Sequence, residues 1–179
     1  MSAVPAPHSA GHSADDPVAD RRAELLDQVM HEARRGGSIG TLHNRAAADL
    51  VGMNQTDWDC LDVLDWTGPI TAGELAKRVG LTSGAITGVL DRLAKTGLAR
   101  RVSDPHDRRR VIVELTVDLE TRPADERQAA LHESFGQLAA EMFAVSEEFD
   151  AAQLEAILRW LQAGNEAVER STARMRDRA

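Results

Sequence analysis

Apolar side chains recur every three or four residues along most of the chain and every second residue along one short stretch, so the period itself divides the sequence. Val18, Leu25, Leu26 and Val29 share one helical stripe, which Asp15 or Asp16 can cap and which Gly36-Gly37 is predicted to stop. A second helix is expected from Ser38 through Ile39, Leu42, His43, Ala46 and Leu50, closing near Gly52. Thr56-Asp-Trp-Asp59 resembles a capping signal ahead of Trp58, Leu61 and Leu64, and Gly68-Pro69 ends that helix. Thr71-Ala-Gly-Glu74 reads as a full capping box, with Leu75, Ala76 and Val79 facing inward and Gly80 supplying a left-handed turn. Thr82 or Ser83 then opens a helix whose Ile86, Val89, Leu90 and Leu93 stripe ends at Gly97.

Beyond Gly97 the period falls to two. Leu98, Arg100 and Val102 alternate with their neighbours, as do Val111, Val113 and Leu115, and Ser103-Asp-Pro-His-Asp107 turns between them, which predicts a hairpin with a charged tip. The helical period returns at Leu131, Phe135, Leu138, Met142 and Val145, a spacing that expects a partner helix. Asp150 with Gln153 caps a last helix bearing Leu154, Ile157, Leu158, Leu161 and Val168. Residues 1–14 carry no period and read as an unstructured tail. The segments that follow are 15–52 (helices), 53–118 (helices and hairpin) and 119–179 (helices). The fold class is therefore mainly α with a small β-hairpin.

At 179 residues the chain is long enough to bury a core. Its one cysteine, Cys60, offers no intrachain disulfide, and the amino terminus lacks a secretory pattern. No stretch reaches the roughly 18 consecutive apolar residues of a membrane span. A cytoplasmic protein without a membrane association is expected. The net charge of −8 argues against a polyanionic partner until its distribution is considered. Residues 91–110 hold seven arginines and lysines against three aspartates, a local charge of +4 on a body of −12. A basic stripe on an acidic body fits nucleic-acid binding; a solvated charged face is the plainer alternative.

A helix, a glycine turn, a second helix and a basic hairpin follow one another in the order of a winged helix-turn-helix. The second helix leads with Ser83, Gly84, Ala85 and Thr87, small enough for its backbone to approach a major groove. The two hydroxyls can reach bases or phosphates, the Ala85 methyl can meet a thymine methyl, and Arg92 lies further back toward a strand. Helix capping is the competing role for the serine and threonine. At the hairpin tip Arg108, Arg109 and Arg110 cannot all pair with one carboxylate, while Asp107 can clamp one guanidinium and orient it toward a minor groove.

The segment LTSGAITGVLDRLAKTGLARRVSDPHDRRRVIVELT, residues 81–116, closely resembles the recognition helix and wing of the multiple-antibiotic-resistance-regulator (MarR) family, including its Asp-x-Arg element at Asp107 to Arg109. With the preceding capped helices the match covers about residues 56–116, and the flanking helices agree in placement and character. The resemblance implies a homodimer whose dimerisation region is built from the amino- and carboxyl-terminal helices, and whose two winged modules enter successive major grooves of a palindromic operator. It implies a ligand-responsive repressor of transcription. By position, Ser83, Gly84, Ala85 and Thr87 would face the major groove, Arg109 would enter the minor groove with Asp107 orienting it, and Arg108 and Arg110 would meet phosphates. The polar link from Val117 to Arg127 departs from the family's usual helix start.

Other residues invite different chemistry. Cys60 could serve as a redox sensor, but it lies among Leu61 and Leu64 and between Asp59 and Asp62, whose charges disfavour a thiolate, so a core role is expected. His43, Trp58, Met53 and Met142 are candidates for the lining of a pocket for a small aromatic effector, with ordinary core packing as the alternative. His8 and His12 lack companion ligands, and neither a metal nor a cofactor is expected. A hydrolase built on Cys60 and His43 lacks an orienting group and an oxyanion loop, so enzymatic activity is not expected. A protein-interaction module using the acidic surface remains a second class of function.

Overall fold

The computed structural model describes residues 17–104, 107, 110–116 and 125–178. The first helix, α1 (Pro17–Leu50), runs unbroken through Gly36 and Gly37, where the sequence predicted a stop. Helical glycine costs about 1 kcal/mol relative to alanine, but it ends a helix only when a competing turn takes over. Here the Ser38 and Thr41 hydroxyls donate to the Arg34 and Gly37 carbonyls of the same helix, so the residue expected to open a new helix instead bonds back into the old one. The true end comes at Gly52, at φ +68°, with the Met53 amide donating to Ala48 at 2.9 Å.

The chain divides into two bodies, residues 1–44 and 45–179. The first is the leading part of α1, whose Leu25, Leu26, Val29, Met30, Ile39 and Leu42 are all exposed. The second contains α2 (Gln55–Thr67), β1 (Ile70–Thr71), α3 (Ala72–Val79), α4 (Ser83–Lys95), β2 (Ala99–Ser103), β3 (Val111–Leu115), α5 (Glu126–Ser146) and α6 (Ala151–Arg176).

Side-chain caps start each of the helices α2 to α6. Asn54, two residues ahead of the expected Thr56 signal, accepts the Asp57 amide at 3.0 Å and starts α2. Thr71 accepts the Glu74 amide at 3.1 Å to start α3, but the Glu74 carboxylate goes to Arg78 at 3.1 Å, so only the forward half of the predicted box forms. Asp150 and Gln153 make the complete reciprocal pair at α6, with amide-to-carboxylate and amide-to-amide bonds of 2.9 and 2.8 Å.

The predicted hairpin forms, with Ala99 opposite Leu115 and Ser103 opposite Val111. It gains a strand the sequence did not announce: Ile70 and Thr71 pair antiparallel with Val113 and Ile112, giving the order β1-β3-β2. A two-residue strand is too short for a detectable alternation, which is why it was missed. The core gathers Cys60 and Leu64 from α2, Leu75 and Ala76 from α3, Ile86, Val89, Leu90 and Leu93 from α4, and Ala99 and Val113 from the sheet. The result is a mainly helical winged-helix fold. By contrast α5 and α6 have no fully buried residue among those described: Phe135, Leu138, Met142 and Val145 of the predicted seam are exposed, as are Leu154, Ile157, Leu158, Leu161 and Val168.

Candidate nucleic-acid interface

Thr82 resolves the question of which hydroxyl opens α4. Its side chain accepts the Ala85 amide at 3.2 Å, leaving Ser83 as the first helical residue with no capping duty. Ser83, Gly84, Ala85 and Thr87 are all exposed, while Ile86, Val89, Leu90 and Leu93 anchor the opposite stripe. A methyl group added at Gly84 would meet nothing within 4 Å, so the leading face is open. The Thr87 hydroxyl donates to the Ser83 carbonyl at 3.0 Å, which leaves its lone pairs directed outward as an acceptor. An open groove between α3 and α4, lined by Gly73, Lys77, Ser83 and Thr87 among others, borders this face.

Arg92, expected to face a DNA strand, is half-exposed and also bonds within the protein. Its Nε donates to Asp57 Oδ2 at 2.9 Å and its Nη2 to Oδ1 at 2.6 Å, a two-pronged bond from α4 to α2. Asp57 is only 5% exposed. Burial pushes its carboxyl upward, but the bonds from Arg92 and Asn54, with the Arg92 charge, outweigh that and hold it below the usual carboxylate range. The pair spans 35 positions in sequence, beyond the reach of any local pattern.

Two other arginines of the basic segment are also engaged. Arg100 pairs with Glu114, its cross-strand neighbour. Arg101 donates to the Asp91 carboxylate at 2.6 Å and to the Thr87 carbonyl at 3.0 Å, tying β2 to α4. Sequence reasoning missed Arg101 as a positioning residue; its nearness to Asp91 across the Gly97 turn was the available signal. Three of the seven cations of residues 91–110 are thus paired within the protein; Asp91 is already counted in the +4, and the pairs with Asp57 and Glu114, outside the segment, lower it to +2. Arg110 and Lys95 are exposed and make no ion pair among the described residues.

The hairpin tip is closed by backbone bonds from Asp104 to Arg110 at 3.1 Å and from Arg110 to Asp107 at 2.8 Å, with the Asp107 amide on Asp104 Oδ1 at 3.3 Å. Arg108 and Arg109, and with them the expected Asp107–Arg109 clamp, lie outside the described residues. At the base of the hairpin the Thr116 hydroxyl donates to the Gly97 carbonyl.

Of the candidate pocket residues, Trp58, Met53 and Met142 lie in the second body. Trp58 is half-buried and stacks on Phe135 at 6.4 Å between ring centres, and Met53 is half-buried. Met142, two turns beyond Phe135 on α5, is 61% exposed beside Ala139, Phe143 and Ser146. His43 belongs to the other body. Cys60 is fully buried, and burial together with the Asp57 and Asp59 charges pushes its thiol up to about 11, which removes the thiolate a sensor or nucleophile needs. No group of metal-ligating side chains occurs among the described residues, and none of their helices is long and apolar enough to cross a membrane.

The family model of the MarR family matches residues 53–111, the capped helices and most of the hairpin. An uncharacterized HTH-type transcriptional regulator of Bacillus subtilis, YcgE, is 31% identical over 155 residues, covering 87% of this chain and 96% of its own. The HTH-type transcriptional repressor NicR of Pseudomonas putida is 30% identical over 100 residues, covering 56% of this chain and 63% of its own. The crystal structure of the MarR family transcription regulator SP03579 shares the fold with a TM-score of 0.52 at 18% identity, over 87% of this chain and 98% of that one. The chain belongs to the MarR family and is a DNA-binding transcriptional regulator, not an enzyme.

Proposed function

We propose that the protein is a cytoplasmic, sequence-specific repressor that binds a palindromic double-stranded DNA operator as a homodimer and releases it on binding a small aromatic effector. One observation carries the reading: α4 is anchored by a complete apolar stripe and capped by Thr82, so that Ser83, Gly84, Ala85 and Thr87 form a bare, thin leading face. A helix enters the major groove only when its outer residues let the backbone approach the base edges. Arg92, Arg108, Arg110 and Lys95 would supply phosphate contacts beside it, and Arg109 would enter the adjacent minor groove with Asp107 as the orienting carboxylate.

Dimerisation is supported by the apolar residues that α1, α5 and α6 leave exposed, Phe143 at 74% among them. Such a surface is more than a monomeric soluble protein ordinarily leaves in water. Residues 15–52 and 119–179 would form the dimerisation region and 53–118 the DNA-binding domain. Two-fold symmetry of the protein then demands a two-fold symmetric site, with half-sites about one helical turn apart. Repression is supported by the similarity to NicR. The Trp58–Phe135 stack between α2 and α5 offers aromatic surface to a flat effector, with half-buried Met53 preceding α2 in the chain. An effector that prefers the non-binding spacing of the two reading helices shifts the population in proportion to that preference, tenfold for about 1.4 kcal/mol.

Fluorescence anisotropy on DNA from upstream of the protein's own reading frame tests this directly. A two-fold symmetric footprint with two protein chains per site supports it, and Arg109→Ala is expected to weaken binding by about 1–3 kcal/mol per half-site. Binding that ignores sequence, or that is unchanged by Arg109→Ala, contradicts it.

A further inference from the structure

The last turn of α6 is bolted to the first helix of the reading pair. Arg176 Nη1 donates to the Lys77 carbonyl at 2.7 Å, and its Nη1 and Nη2 donate to the Arg78 carbonyl at 3.2 and 3.1 Å. These are last-turn carbonyls of α3, at the negative end of its dipole, and the Lys77 carbonyl also accepts the Gly80 amide at 3.3 Å. A guanidinium placed there meets that partial negative charge with charge-assisted bonds to both carbonyls. Gly80 makes the room: with φ +76° it turns the chain, and a Cβ at that position would stand 2.9 Å from Arg176 Nη2 and 3.0 Å from Cζ. Two turns back on α6, Glu169 lies 3.7 Å from the Arg78 guanidinium, which also pairs with Glu74 and covers the Trp66 ring of α2 at 5.2 Å. Glu169 and Arg176, seven residues apart, thus present one face of α6 to the end of α3.

We infer that Arg176 is a positioning residue that sets the separation of the two reading helices in the dimer, and through it the half-site spacing the protein accepts. The inference rests on the proposed DNA-binding homodimer. In that assembly α6 belongs to the dimerisation region, while α3 packs against α4 through the Leu75, Ala76 and Ile86 core. Movement of α3 relative to α6 is therefore movement of α4 relative to the symmetry axis. A guanidinium gripping two carbonyls resists sliding and rotation in a way a single charge does not. Arg176 touches no DNA in this account; it acts through α3.

The experiment compares full-length wild type with Arg176→Ala on the selected operator and on versions with one base pair added to or removed from the centre. Wild type is expected to discriminate strongly among the spacers. Arg176→Ala is expected to bind the native spacer about three- to tenfold more weakly and to narrow the ratio between native and altered spacers by at least about threefold. Glu169→Gln shifts the same ratio in the same direction by less. If Arg176→Ala does not melt cooperatively, Arg176→Lys, which keeps the charge and loses the two-pronged grip, replaces it with the same expectation. An Arg176 variant that discriminates among spacers as wild type does overturns the inference, whatever its overall affinity. Failure of the wild-type protein to bind any DNA specifically would instead overturn the functional reading beneath it.

Discussion

Arg92 on α4 grips Asp57 on α2 with two hydrogen bonds, of 2.9 and 2.6 Å, so the helix that would read DNA is fastened to its neighbour by an ion pair whose acidic half is buried. The two halves are unequal. Arg92 is half-exposed and can be rehydrated if Asp57 is lost, whereas Asp57 is left buried without its main partner if Arg92 is lost. Arg92→Ala is therefore expected to lower the thermal midpoint more than Asp57→Asn does. Melting curves of the two variants at neutral pH check the order, and equal midpoints would contradict it.

The same pair predicts a pH dependence. Because the folded Asp57 carboxyl is held below its unfolded value of about 4, its contribution to stability is complete above that value and is lost as pH falls through the lower folded one. Denaturant titrations between about pH 6 and about pH 2, roughly two units either side of the ordinary aspartate value, should show wild type losing more stability on acidification than Asp57→Asn does. Parallel losses would remove Asp57 from the account.

Arg101 joins the wing to α4 through Asp91 and the Thr87 carbonyl. Both side chains reach solvent, so Arg101→Ala should change global stability by less than about 1 kcal/mol. The wing should nevertheless loosen, with faster amide exchange in Ala99–Ser103 and Val111–Leu115 than in α2. Exchange that rises equally in both places would mean a general loss of packing.

Cys60 is buried with its thiol pushed up to about 11. Native protein should react with a thiol reagent only as fast as it unfolds, and peroxide should leave DNA binding unchanged. Rapid native-state labelling, or release of DNA by peroxide that Cys60→Ala abolishes, would contradict this.

Salt dependence reports the cations that remain available once Arg100 and Arg101 are tied up internally. Affinity should fall steeply with salt, and Arg110→Ala should reduce the slope of log affinity against log salt by about 0.9 for each phosphate contact removed. An unchanged slope places Arg110 away from the backbone.

Much of this architecture could be read from local pattern. The stripe Ile86, Val89, Leu90 and Leu93 and the alternation at Val111, Val113 and Leu115 both record burial on one side of an element, and both elements form where expected. What escaped was set by competition or by distance. Gly36-Gly37 looked like a stop because glycine weakens helices, but the back-bonding hydroxyls of Ser38 and Thr41 left no competing turn. Asn54 displaced Thr56 as the cap because it offered the same oxygen earlier. The Arg92–Asp57 pair escaped because nothing nearby in sequence betrays a carboxylate 35 residues upstream. The small leading face of α4 was legible because it needs no long-range partner at all.

Gly84 gives the central claim its sharpest test. It sits in the first turn of α4 with open space around it, so Gly84→Leu improves helix propensity and disturbs no packing. Operator affinity of this variant, measured by anisotropy beside its melting curve, is predicted to fall by at least about tenfold, the effect of one lost base-pair match or more, with the midpoint unchanged or raised. A Gly84→Leu protein that folds and binds the operator as tightly as wild type would show that α4 does not enter the groove by this face.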